Sequence, residues 1–114
     1  MLRTKARWNP REKKAVQAFV DQIKQVLKNN LSSIRLFGSK ARGDSSTGSD
    51  IDILVAVHHL SPEIKNSVID IAFDIHLEYG VYISPRVVPQ NIFSARVWRI
   101  TPFVKNIRKE GIAL

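Results

Sequence analysis

The sequence is constrained most by a Gly-Ser corner that follows one apolar run and by an Asp-x-Asp pair that begins the next. The corner lies in Phe37-Gly38-Ser39-Lys40-Ala41-Arg42-Gly43. Gly38 allows the backbone to approach a ligand closely, and the residues after it can begin a helix whose free N–H groups face an anion. The corner therefore offers half of a site for phosphate groups.

The Asp-x-Asp pair offers the other half. Asp50 and Asp52 stand at the start of an apolar run, and side chains two residues apart in a strand project to the same face, about 7 Å apart along the backbone. Such paired carboxylates suit Mg²⁺, which prefers oxygen ligands and is usually completed by waters and substrate phosphates. Alone, each motif is more often an ordinary turn or a solvated strand edge.

Turn residues and hydrophobic spacing predict the elements around these motifs. A first helix begins with Asn9 as N-cap, Pro10 at N1 and Glu12 at N3. Strands follow over 33–37 and 51–57, and the second is almost wholly apolar, which favours the interior of a sheet. The predicted apolar stripe of the first helix comprises Val16, Phe19, Val20, Ile23, Val26 and Leu27.

A second helix is predicted between Ser61, its N-cap, and Gly80, its C-terminal residue. A third strand spans 81–88, where Pro85 indicates an edge position or a bulge. Residues 91–100 are ambiguous, and a last short helix ends at Gly111. The predicted buried face of the second helix comprises Ile64, Val68, Ile71 and Ile75.

Together, Gly38-Ser39, Ala41-Arg42-Gly43 and Ser49-Asp50-Ile51-Asp52 resemble the signature of the DNA polymerase β-like nucleotidyltransferase superfamily, in its minimal, single-domain branch. The order of helices and strands is similar to that of the family as well. The resemblance implies an α+β, two-layer nucleotidyltransferase fold, in which a small mixed β-sheet packs with helices. It also implies a single domain over residues 1–114, of which we expect 1–8 to be flexible.

The resemblance implies a chemistry too. Family members transfer a nucleotide by a two-metal displacement at the α-phosphate of a nucleoside triphosphate. Asp50 and Asp52 would bind Mg²⁺, and Gly38 and Ser39 would hold the β- and γ-phosphates of ATP or another nucleoside triphosphate. The remaining two candidates for phosphate binding are Lys40 and Arg42, for which plain surface charge is an equal alternative.

The third carboxylate that the family usually places on the strand after the second helix is missing. Ser84 stands about where it is expected, and a hydroxyl carries no charge to hold a second metal. Strand parity predicts that Tyr82, Ser84 and Arg86 share a face, where Arg86 would assist phosphates and oppose a second metal. One metal is therefore an alternative to two.

Other polar side chains are interpreted as structural or surface groups. Asp70, Asp74 and Glu78 form one stripe of the second helix, for which a solvated surface is expected rather than catalysis. The three histidines have no metal-ligand spacing with one another; they are His58, His59 and His76.

Composition indicates the cellular location and the kinds of partner to expect. The 114 residues include no cysteine and no apolar run long enough to span a bilayer, and a cytoplasmic protein is expected. The formal net charge is +8, and residues 1–28 carry eight basic and two acidic side chains. A basic end of this kind fits nucleic acid, nucleotide phosphates or an acidic protein, although within its basic run, residues 3–14, Trp8 is the only aromatic side chain that could stack on bases.

Three functions remain open at this stage. The first is an enzyme that transfers AMP from ATP to a protein acceptor, since small members of the family are commonly antitoxins paired with HEPN-domain toxins. Kanamycin-type enzymes carry an additional domain, for which 114 residues leave no room. The second is a weak or inactive relative that acts as a partner-binding module, in a homo- or hetero-oligomer. The third, which is less favoured, is a nucleic-acid-binding protein.

Overall fold

The computed structural model describes residues 9–37, 50–93 and 112–114. The predicted last helix before Gly111, and the tail of residues 1–8, lie outside this part of the chain. Two helices, two 3₁₀ turns and four strands are described. In chain order they are α1 (Pro10–Leu27), a 3₁₀ turn (Lys28–Asn30), β1 (Leu31–Phe37), β2 (Ile51–Val57), α2 (Pro62–Tyr79), β3 (Ile83–Pro89), a 3₁₀ turn (Gln90–Phe93) and β4 (Ile112–Ala113).

The strands form one mixed sheet in the order β3-β2-β1-β4. The β1 strand pairs antiparallel with both β2 and β4, whereas β2 and β3 run parallel. The apolar β2 is an interior strand, as its sequence predicts. The β3 strand lies at an edge, where Pro85 can lack an N–H without costing a ladder hydrogen bond on the open side.

The main core lies between the two helices and one face of the sheet. Alternate residues of β2, from Ile51 to Val57, are fully buried there with Phe19 of α1 and Ile75 of α2. The opposite face carries a smaller cluster formed by Leu54, Ala56, Val88 and Ile92. This two-layer α+β arrangement confirms the predicted fold class, while the extent of the domain over 1–114 stays a prediction.

Local signals place the helix ends. The Asn9 side chain accepts a hydrogen bond from the Glu12 N–H at 2.8 Å, and the Glu12 carboxylate accepts one from the Asn9 N–H at 3.1 Å. Ser61 caps α2 by accepting from the Ile64 N–H at 3.2 Å. Gly80 ends α2 with φ 70°, a left-handed conformation that glycine adopts without a Cβ penalty. All three ends agree with the sequence.

The structure differs from the sequence-based expectation in several places, including the start of β1 at Leu31 rather than at residue 33. Val26 is 52% exposed, although its spacing placed it in the apolar stripe of α1. The third strand begins at Ile83 rather than 81, and the Tyr82 ring stacks on His76 of α2 with ring centroids 3.9 Å apart. The short β4 was not predicted at all, since two residues carry no periodicity.

In the described part of the chain, neither helix is long and apolar enough to cross a membrane.

Candidate functional site

The candidate site lies on the sheet face opposite to the two helices, at the end where β2 begins. Asp52 pairs in register with Phe37 of β1 on one side and with Ser84 of β3 on the other. Residues in register across neighbouring strands point to the same face, with about 5 Å between adjacent strands. Ser84 therefore lies directly across from Asp52, where the sequence comparison with the family expected a third acid. Asp52 is half-buried and Ser84 is exposed.

Asp50 stands immediately before β2 and is exposed. The Ile51 N–H donates to the Tyr82 carbonyl at 3.0 Å, which ties the starts of β2 and β3 together. Asp50 precedes Asp52 by two residues, so the two backbone positions are about 7 Å apart. The structure thus brings Asp50, Asp52 and Ser84 to one rim of the sheet.

The Gly-Ser corner lies outside the described residues, and so do its four predicted phosphate-binding positions, Gly38, Ser39, Lys40 and Arg42. The structure does fix where this segment begins and ends. It leaves β1 after Phe37, which is in register with Asp52, and it returns at Asp50. The segment of residues 38–49, which contains the corner, therefore joins the chain at both ends to the rim that carries the two aspartates.

Two arginines lie in the next row of this face, on either side of a fully buried leucine. Leu54 of β2 pairs in register with Arg35 on one side and Arg86 on the other. The two guanidinium groups extend from positions about 10 Å apart across the sheet, one row beyond Asp52. Arg35 is half-buried and Arg86 is exposed. The predicted position of Arg86 on the face of Ser84 agrees with this register; Tyr82 does not follow the parity, because its ring stacks on α2.

Arg35 is the residue of this face that the sequence analysis missed. Its neighbours Ile34 and Leu36 are buried, so alternation along β1 already indicates that Arg35 points away from the core. The sequence carries no signal for the pairing of Arg35 with Leu54. Only the strand register shows that it is one row from Asp52.

The side chains present fit one Mg²⁺ better than two. Asp50 and Asp52 supply hard oxygen ligands on one rim, and phosphates can complete such a shell. Ser84 adds a neutral hydroxyl, and the described part of the chain contains no group of three or more His, Cys, Asp or Glu side chains placed to hold a metal. Two arginines nearby add positive charge, which favours phosphate oxygens and disfavours a second cation.

The other polar groups considered from the sequence lie elsewhere. Asp70, Asp74 and Glu78 are exposed on α2, which packs on the opposite sheet face. His59 is held at the far end of β2, where its N–H donates to the Asn30 side chain at 2.8 Å and its carbonyl accepts from it at 2.9 Å. These residues therefore lie away from the rim that carries Asp50 and Asp52.

Comparison with protein families gives a match that covers most of the chain. The nucleotidyltransferase domain family matches residues 18–114. A curated relative from Methanocaldococcus jannaschii, "Putative protein adenylyltransferase MJ0604", is 36% identical over 104 residues, which are 90% of this chain and 97% of the relative.

Solved structures show the same fold. The spectinomycin adenyltransferase AAD(9) from Enterococcus faecialis, solved with ATP and spectinomycin, aligns with TM-score 0.58 and 27% identity over 71% of this chain but only 35% of its own. A toxin–antitoxin structure with AMP-PNP aligns with TM-score 0.55 and 20% identity, over 83% of this chain and 68% of the other.

A third structure, described as a "putative minimal nucleotidyltransferase", aligns with TM-score 0.54 and 20% identity over 89% of this chain and 94% of its own. Its length is thus matched almost completely, in contrast to the longer spectinomycin enzyme. With a family match that spans Asp50, Asp52 and Ser84 and a relative matched over nearly its full length, this chain belongs to the nucleotidyltransferase domain family.

Proposed function

We propose that this protein transfers AMP from ATP, with Mg²⁺, to a hydroxyl group of a protein acceptor. The observation that carries the proposal is the rim of the sheet, where Asp50 and Asp52 lie together and both ends of the Gly-Ser segment are attached. The name of the Methanocaldococcus relative supports a protein acceptor, and the neighbours solved with ATP or AMP-PNP support a nucleotide substrate.

In this proposal the residues of the chain place positive charge around the phosphates of ATP. Asp50 and Asp52 hold Mg²⁺, which when bound shields the phosphates and stabilises charge on the leaving oxygen. Arg86 and Arg35 attract phosphate oxygens from the next row of the face. The acceptor oxygen forms a bond to the α-phosphorus, the bond from that phosphorus to the bridging oxygen breaks, and pyrophosphate leaves. The acceptor proton passes to water.

We further propose that the acceptor is a HEPN-domain toxin and that this chain is the antitoxin of the pair. The support is the structural likeness to a toxin–antitoxin complex and the small size of the matched relatives. The spectinomycin enzyme gives less support for antibiotic modification, because this chain aligns with only 35% of it.

The direct test is co-expression with the protein encoded by the adjacent reading frame, followed by intact-mass measurement of that protein. A mass gain of one AMP, absent when the Asp50→Asn/Asp52→Asn double variant is co-expressed, would support transfer. An unmodified partner that both forms of the chain bind equally would reject it.

That second outcome defines the alternative function, a partner-binding module of the same fold. Ser84 favours this alternative, because a neutral hydroxyl stands directly across from Asp52 where an acid is expected. The aspartate pair favours catalysis, since two carboxylates on one rim supply the oxygen ligands that Mg²⁺ prefers.

A further inference from the structure

Helix α2 carries a second apolar row that no part of the described structure covers. Ile69, Phe73 and Leu77 are 47%, 58% and 67% exposed. They recur every four residues, so they are neighbours on one stripe of the helix. The buried face of α2 is separate and includes Val68, Ile71 and Ile75. Single exposed apolar residues are common on proteins, whereas a contiguous row marks an interaction site.

The apolar row continues onto the adjacent edge of the sheet. The Tyr82 ring, 59% exposed, stacks on His76 with an interplanar angle of 28°. A groove beside Phe73 runs from this ring pair to Pro85 on the edge strand β3. The exposed row and the groove together form one apolar surface that can receive the side chains of an opposing helix.

Acidic side chains follow this surface along its other flank. Asp70, Asp74 and Glu78 each come one residue after a member of the apolar row, and all three are exposed. With Glu63, α2 carries four of the ten acidic residues of the chain against one basic residue, Lys65. In a protein of net charge +8, α2 is therefore an acidic helix. We call the surface formed by Ile69, Phe73, Leu77 and these three flanking acids the α2 face.

We propose that the α2 face binds a partner protein through a basic amphipathic helix. The apolar stripe of such a helix would cover Ile69, Phe73 and Leu77, and its Lys and Arg flank would pair with the acidic row. A second copy of this chain fits less well. In an antiparallel helix pair related by a two-fold axis, the acidic flank of one α2 would lie beside the acidic flank of the other, and the two would repel each other.

The α2 face is distant from the candidate transfer site. The helix packs on the sheet face opposite to that of Asp52 and Arg86, so a partner held at α2 leaves the rim open. The proposal goes beyond nucleotide transfer and does not depend on it.

The test uses two fluorescein-labelled synthetic peptides, about five helical turns long. Both have one Leu stripe; one has Lys on the flanks and the other has Glu. Fluorescence anisotropy at physiological ionic strength measures their binding to the intact chain. We expect the Lys peptide to bind and the Glu peptide to bind at least about tenfold more weakly, because only the first complements the acidic row.

Matched variants locate the binding. Phe73→Ser should lower the affinity for the Lys peptide at least about tenfold, because the interface would lose a central apolar anchor. Val26→Ser, which removes a comparably exposed apolar side chain from α1, should leave binding unchanged. Asp70→Asn/Asp74→Asn should weaken it, whereas Asp21→Asn on α1 should not. The Asp50→Asn/Asp52→Asn variant should bind normally, which separates this test from that of transfer.

The proposal would be overturned if the two peptides bound equally or if neither bound. It would also be overturned if a folded Phe73→Ser variant bound the Lys peptide as well as the wild type. A concentration-dependent dimer in sedimentation that Phe73→Ser abolishes would overturn it too, since the α2 face would then be occupied by a second copy.

Discussion

Ser84 is the residue that most distinguishes this site from the pattern expected of its family. Its register with Asp52 agrees with the position that the sequence predicts for it. A serine there keeps the geometry of the third ligand position but removes its charge. Two arginines, Arg35 and Arg86, lie one row away, and in the proposed reaction they would add positive charge beside the phosphates.

Restoring an acid at this position should therefore restore metal affinity. We expect Ser84→Asp to bind Mn²⁺, used as a spectroscopic substitute for Mg²⁺, at least about tenfold more tightly than the wild type, because a third carboxylate would face Asp52 from about 5 Å away. Electron paramagnetic resonance of free Mn²⁺ measures the affinity and the number of ions bound. Ser84→Asn is the uncharged control, and equal affinities of the two variants would contradict the assignment of this position.

Arg86 is expected to act on phosphates. We expect Arg86→Ala to weaken ATP binding in the presence of Mg²⁺ by roughly tenfold, the loss typical of a charge-assisted hydrogen bond. Calorimetric titration measures the change. Arg11→Ala removes an exposed arginine from α1 and should have no effect; a similar loss in both variants would mean that net charge, and not the position of Arg86, controls affinity.

At the scale of elements, the ends of the helices were predictable because their signals are local. The Asn9 and Glu12 side chains exchange hydrogen bonds with backbone groups three residues apart, so the sequence contains both partners. Gly80 ends α2 because its own backbone adopts a left-handed conformation, so the signal lies in a single residue. Pro85 likewise indicated an edge strand through its own missing N–H.

Features that depend on distant segments were not predictable. Val26 shares a helical face with Phe19, and periodicity cannot tell how far the neighbouring elements extend along that face. The β4 strand forms because Ile112 and Ala113 pair with Leu36 and Arg35 of β1. The residue types of Ile112 and Ala113 do not predict this pairing. The exposed row of α2 is not evident from the sequence for the same reason: a helical pattern shows which residues share a stripe but not which stripe is covered.

The capping box of α1 gives a test of element stability. Asn9→Ala should lower the free energy of unfolding by about 1 kcal/mol, because the Glu12 N–H loses its acceptor. Urea denaturation measures the change. Asn66→Ala, at an exposed interior position of α2, is the matched control and should be neutral or slightly stabilising, since alanine is the better helix former. Equal destabilisation by both would show that the cap contributes nothing specific.

At the scale of the whole molecule, the sheet separates two surfaces of opposite character. One face carries the aspartate rim with Arg35 and Arg86; on the other, the helices cover the core and α2 presents an acidic, apolar surface. The fold class and the place of the aspartate pair could be predicted, because the motif and the element order are contiguous in sequence. The division into two surfaces could not, since it arises from strand register and helix packing.

The central claim is that Asp50 and Asp52 form a metal-dependent nucleotide site. Calorimetric titration of ATP into the chain, with Mg²⁺ and then with a chelator, tests it most directly. We predict that ATP binding requires Mg²⁺. The Asp50→Asn/Asp52→Asn variant should bind ATP at least about tenfold more weakly. The Asp70→Asn/Asp74→Asn variant, which removes two acids from the helical side, should keep the wild-type affinity. Absence of Mg²⁺-dependent binding in the wild type, or normal binding by the Asp50→Asn/Asp52→Asn variant, would contradict the claim and leave the fold as a scaffold for a partner.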